Sequence, residues 1–297
     1  MNSPQIDCAA IIGVGLIGGS FGMALKKRGL VGKVVGVGRN PKRLQLAQDL
    51  GAIDSWSVEL DDVIPDCDLV YISTPVGLVL DFVKKVSPLV KADCIITDAG
   101  STKADICRGA DAVLGDRHSF VGGHPMAGSE VAGVETAHPD LFVGATYVLT
   151  PTTHTKPASA ERMRSIAESI GSRVLSIDPE GHDRCTAVIS HLPHVIAAAM
   201  ISMTADHSTH DPEVFDFVAG SFRDMTRVAG SSPELWRDIC FTNAESILSA
   251  AKDFRKALDA GLDFLESGNS EGFERWFSEA KEIRDSRVRK PDSSPGD

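Results

Sequence analysis

The feature that most constrains this chain lies at its start. An apolar run from Cys8 leads into Gly13-Val14-Gly15-Leu16-Ile17-Gly18, and the residues that follow carry helical periodicity. A GxGxxG between a strand and a helix is the turn on which a Rossmann-type sheet binds a dinucleotide. Gly13 permits the tight turn, Gly15 lets backbone amides approach a pyrophosphate, and Gly18 lets helix and strand pack closely. The amides of Leu16, Ile17 and Gly18 then open a helix N-terminus towards the anion.

The pattern continues in kind. Short β-branched runs at 8–13, 33–37, 69–73, 94–98, 120–123, 146–150 and 173–177 alternate with amphipathic stretches at 18–28, 41–50, 77–86, 102–114 and 158–170. Such alternation predicts a doubly wound α/β domain with a parallel sheet. After Asp178 the β-rich runs stop, and helices are expected over 182–205, 212–219, 233–266 and 270–289. The expected division is a dinucleotide-binding domain over 1–178, a helical substrate and dimerisation domain over 179–290, and a disordered tail over 291–297. Long helices with apolar stripes such as Ile239, Ile247, Leu248, Ala251, Phe254 and Leu258 suit a homodimer.

Composition narrows the function. The chain has 297 residues, 42% hydrophobic and 24% charged, with a net charge of -11 and a dense basic run only at Arg287 to Lys290, which argues against nucleic acid as a partner. Six cysteines without a CxxC pair read as reduced thiols rather than a disulfide framework or zinc site. The N-terminus has no basic leader, and no apolar stretch is expected to reach the roughly 18 to 20 residues that span a bilayer. The expected compartment is the cytoplasm, with no membrane partner.

The second strand ends at Gly36-Val37-Gly38-Arg39, where an NAD enzyme usually carries an acid for the adenosine ribose. Gly38 stands there instead, and Arg39 can pair with a 2′-phosphate, so the reading leans to NADP with NAD still open. Ser73, Thr74 and Pro75, at the end of another strand, are further candidate cofactor contacts.

Four more blocks carry the chemistry: Asp98-Ala99-Gly100-Ser101-Thr102-Lys103, Gly122-Gly123-His124-Pro125-Met126-Ala127-Gly128-Ser129-Glu130, Ser190-His191-Leu192-Pro193-His194, and Phe222-Arg223-Asp224-Met225-Thr226-Arg227, followed by Trp236 and Arg237. In this order, behind the fingerprint, they resemble the prephenate/arogenate dehydrogenase family from about Ile11 to Leu258. The resemblance implies that His124 is the catalytic histidine and that Ser101 shares the substrate hydroxyl and steadies it. It further implies that Arg227 pairs with a substrate carboxylate, that His194 and His191 line the pocket, and that Glu130 and Trp236 gate or shape it. The implied reaction is oxidative decarboxylation of prephenate or arogenate with NAD(P) as hydride acceptor, in tyrosine biosynthesis. No regulatory ACT domain or fused chorismate mutase is expected, so tyrosine inhibition would act through the catalytic body.

Rival readings stay beside these. Arg227 can be a surface partner of Asp224, Trp236 can be core packing, and His124, His182, His191 and His194 could together supply metal ligands, although the family uses no metal. A β-hydroxyacid dehydrogenase would carry a catalytic lysine on the interdomain helix, and 182–203 has none. A silent dinucleotide sensor would have no use for His124, Ser101 and Arg227 together.

Overall fold

The computed structural model describes residues 6–115, 117–128 and 133–288. The chain forms two compact units, Met1–Ile247 and Leu248–Asp297. The first is built on an eight-stranded sheet: β1 (Ile6–Ile12), β2 (Val31–Val37), β3 (Ser55–Ser57), β4 (Leu69–Ile72), β5 (Ile95–Asp98), β6 (Ser119–Pro125), β7 (Thr146–Thr150) and β8 (Arg173–Ser176). Their spatial order is β3-β2-β1-β4-β5-β6-β7-β8. All pairings are parallel except β6 with β7, where Gly123 lies opposite Leu149 and His124 opposite Val148.

Helices α1 (Leu16–Lys27), α2 (Pro41–Asp49), α3 (Val79–Val86), α4 (Ala104–Leu114) and α5 (Pro157–Ser169) cover the sheet. The near-continuous apolar strands divide their side chains between two cores, as a sheet buried on both faces requires. One core gathers Phe21, Tyr71, Phe142, Tyr147 and Met163, with Phe21 and Tyr71 stacked at 3.9 Å. The other gathers Val79, Val83, Ile106, Cys107 and Leu114.

Local chemistry fixes the helix starts. Pro41 opens α2 while the Asn40 side chain accepts from the Lys42 and Arg43 amides at 3.0 and 3.2 Å. Pro179 opens α6 (Pro179–Thr186) with Asp178 accepting from the Gly181 amide at 2.7 Å. A π-helical turn, Ala187–His191, joins α6 to α7 (Leu192–His207). Pro193 has no amide hydrogen to donate back into that turn, which favours the looser winding there. Then come α8 (Gly220–Thr226), α9 (Pro233–Thr242) and α10 (Ala244–Glu266), which runs into the second unit. Within that unit, α11 (Ser270–Arg287) sets Phe273 against Trp276 at 5.6 Å.

Three expectations need correction. The helix expected over 233–266 is two helices, because Asn243 leaves helical geometry at φ -126° and ψ 31°. The segment expected to be helical over 212–219 is a 3-10 turn, Pro212–Phe217. A membrane-spanning length was expected nowhere, yet Pro179–His207 is long and apolar enough by length and composition, because α6, the π turn and α7 run on without a break. The tail over 291–297 lies outside the described residues.

Candidate active site

The fingerprint turn forms as its glycines require. Gly13 takes a φ of 92°, and a Cβ there would meet the Ser73 carbonyl oxygen at 2.5 Å, so only glycine fits between the ends of β1 and β4. A Cβ on Gly15 would meet nothing within 4 Å, which leaves the mouth of the turn clear. Gly18 packs against the Gly13 carbonyl. Beside them the Thr74 hydroxyl oxygen is buried without a hydrogen-bond partner among the described residues. A buried polar atom without a partner is costly, and this one belongs to the residue whose side chain a Cβ on Gly13 would meet at 3.2 Å. Gly13, Gly15, Leu16, Ile17, Gly18, Ser73, Thr74 and Pro75 thus converge at the carboxyl ends of β1 and β4, where the strand order reverses. Such a switch point suits a dinucleotide. Arg39 is exposed just beyond the end of β2, followed by the N-terminus of α2.

A second constellation lies two strands away. His124, partly buried near the end of β6, has its Nδ1 2.8 Å from Nε2 of His182 on α6. The Nδ1 of His182 is 2.8 Å from Asp183 Oδ1. Asp183 also accepts from the backbone amides of Lys103 at 2.7 Å and Ala104 at 2.9 Å. An ionised Asp183 only accepts, so His182 Nδ1 donates to it and His182 Nε2 becomes an acceptor. His124 Nδ1 must then donate, which leaves His124 Nε2 with a lone pair. Burial, with His182 and Lys103 nearby, pushes the His124 pKa well below the ordinary imidazole value. That downward shift favours the neutral ring, whose Nε2 can accept a proton.

Beneath this chain of bonds lies a buried ion pair between Lys103 and Asp98, both fully enclosed. Asp98 also accepts from the amides of Gly100 at 2.8 Å and Gly123 at 3.1 Å. One carboxylate therefore fixes both the loop carrying Ser101 and the strand carrying His124. Ser101 is partly exposed in that loop.

His191 and His194 meet Trp236 of α9. His194 stacks on its ring at 3.5 Å and His191 meets it edge-on at 6.0 Å. The Asn243 amide donates to the Asp183 carbonyl at 2.7 Å and lies 3.1 Å from His191 Nδ1. Burial lowers the His191 pKa to about 4. Arg227 is exposed at the end of α8, in a 3-10 turn, Arg227–Gly230. Glu130 lies outside the described residues. Among the described residues, no group of three or more His, Cys, Asp or Glu is placed to hold a metal.

Residue-pattern reasoning did not single out Asp183, Asn243 or the orienting role of His182. The only available signal was the His-Asp pair directly after the Asp178-Pro179 helix start.

The model of the prephenate dehydrogenase nucleotide-binding domain matches residues 21–176, and that of the prephenate dehydrogenase dimerization domain matches 178–279. A prephenate dehydrogenase of Bacillus subtilis is 36% identical over 280 residues, covering 94% of this chain and 76% of the relative. The crystal structure of prephenate dehydrogenase from A. aeolicus in complex with hydroxyphenyl propionate and NAD+ superposes with a TM-score of 0.91 at 34% identity, covering 96% of this chain and 99% of that one. The structure of Synechocystis arogenate dehydrogenase gives a TM-score of 0.83 at 30% identity, covering 95% and 100%.

Proposed function

The chain belongs to the prephenate dehydrogenase family, and from that premise we propose that it oxidatively decarboxylates prephenate to 4-hydroxyphenylpyruvate, or arogenate to tyrosine. The observation that carries the reading is the chain of contacts from His124 Nδ1 through His182 to Asp183, which leaves His124 Nε2 for the substrate proton. When bound, the nicotinamide cofactor supplies the hydride acceptor. His124 Nε2 takes the proton of the ring hydroxyl as that carbon gives up its hydride. The positive charge that develops on His124 is shared through His182 towards Asp183. Once the carbon is a carbonyl, the ring carboxylate is a vinylogous β-keto acid, and its loss makes the ring aromatic. The protein's work is positioning, proton acceptance and charge pairing.

The remaining roles follow. Ser101 shares the hydroxyl, Arg227 pairs with a substrate carboxylate, His194 and His191 line the pocket, and Glu130 and Trp236 gate or shape it. Residues to 178 hold the cofactor, and 179–290 supply substrate contacts and the homodimer. Exposed apolar side chains such as Val188, Ile189, Leu248 and Phe277 support pairing of copies. Gly38 and Arg39 support NADP. A Cβ on Gly38 would make only ordinary contact, at 3.4 Å from Leu44, so packing alone does not demand glycine there. The expected compartment remains the cytoplasm.

The test is a matrix of initial rates: prephenate and arogenate, each with NAD and NADP, in wild type and His124→Ala. Turnover with at least one pair, lost by about a hundredfold or more in the variant, supports the reading. Failure of wild type with all four pairs overturns it.

A further inference from the structure

Away from the cofactor end of the sheet, Cys8 and Cys67 place their sulfur atoms 3.2 Å apart. Cys8 lies near the start of β1, and Cys67 two residues before β4. These neighbouring strands are held in register there. The Asp68 amide donates to the Cys8 carbonyl at 2.9 Å, and Asp68 Oδ2 accepts from the Asp7 and Cys8 amides at 3.0 and 3.1 Å. A disulfide bond is about 2.0 Å long, so the sulfurs need approach by only about 1 Å.

The two thiols are not equivalent. Cys8 is partly exposed, whereas Cys67 is fully buried and reaches the Val63 carbonyl at 3.2 Å. Lys33 stands opposite Cys8 in the β1–β2 register and puts an ammonium group on the same face. When Cys8 ionises, the single Cys67 thiol hydrogen turns from the Val63 carbonyl to the Cys8 sulfur, and with Lys33 opposite this favours Cys8 as the sulfur that ionises.

We infer that Cys8 and Cys67 form an oxidant-sensitive pair that closes to an intrachain disulfide on contact with a hydroperoxide. The Cys8 thiolate attacks a peroxide oxygen, the O–O bond breaks, and sulfenic acid forms as hydroxide leaves. Cys67 then attacks the Cys8 sulfur and gives up its proton, the S–O bond breaks, and water departs. Two thiols lose two electrons, and hydrogen peroxide is reduced to two waters. A dithiol reverses the step by exchange. The pair sits at the amino ends of β1 and β4, whereas Gly13 and Ser73 lie beyond their carboxyl ends. Closure therefore leaves the cofactor turn in place and restrains the unfolded chain.

The experiment treats the folded full-length protein with one equivalent of hydrogen peroxide, then unfolds it in N-ethylmaleimide and maps the peptides by mass. The expected result is a product lighter by two hydrogens in which the peptides of Cys8 and Cys67 are linked. Dithiothreitol should restore both thiols, and the midpoint of thermal unfolding should be higher in the linked form. Cys67→Ser should instead stop at the Cys8 sulfenic acid, heavier by one oxygen and trapped with dimedone before unfolding. Cys8→Ser, altering the less buried partner, should remain unoxidised at Cys67. Recovery of Cys8 and Cys67 separately alkylated from treated wild type, or a link through exposed Cys185 instead, would overturn the inference without touching the proposed reaction.

Discussion

His124 Nδ1 lies 2.8 Å from His182 Nε2, and the residue after His182 supplies the carboxylate that decides which of the two rings donates. Removing that acceptor leaves His182 free to present a hydrogen to His124 and to put the wrong tautomer at the base. Asp183→Asn should lower kcat by about a hundredfold, within the span of general-base effects, with a smaller change in KM. An Asp183→Asn enzyme with wild-type kcat would show that the carboxylate only caps α4.

The pH profile has a defined direction. Protonated His124 has no lone pair, so kcat/KM falls with decreasing pH as the ring takes up a proton. Its pKa is held well below the ordinary 6.5. The rate should stay level from neutral pH to below that value before it drops. An acid limb centred above 6.5 would contradict the burial and charge environment described for His124.

Arg227→Ala should raise KM more than it lowers kcat, with a loss of about 1.5 to 3 kcal/mol in kcat/KM. An unchanged KM would return Arg227 to the protein surface as an ordinary charge.

Gly38→Asp places a carboxylate just past the end of β2. It should weaken NADP through repulsion of the 2′-phosphate and favour NAD, read as the ratio of kcat/KM for the two cofactors. No change in the ratio would mean that the adenosine end lies elsewhere.

Lys103→Met strands Asp98 as a buried charge with only backbone donors. The cost should be about 3 to 5 kcal/mol, measured from the urea midpoint, because breaking one side of a buried pair leaves the other uncompensated. Asp98→Asn with Lys103→Met should recover part of it.

Some of this was legible in the amino-acid order and some was not, for physical reasons. The turn at Gly13 is written locally, since φ, close packing and the following helix all depend on six neighbouring residues. His124 was visible because strand ends in such sheets face ligands. The link from His124 to His182 spans 58 positions, and no local periodicity encodes it. β3 is three residues, Ser55-Trp56-Ser57, too short and polar to raise a strand signal. The break at Asn243 arises where its amide reaches Asp183 and His191, a tertiary demand overriding a continuous helical pattern.

The carboxylate of Asp183 also ends the first turn of α4 from outside, since no side chain of that helix's own caps it and the amides of Lys103 and Ala104 point to Asp183 instead. Whatever loosens α6 therefore uncovers two amides at the foot of the catalytic loop at the same moment. Their exchange with deuterium becomes a clock for assembly of the site, readable without substrate, cofactor or turnover.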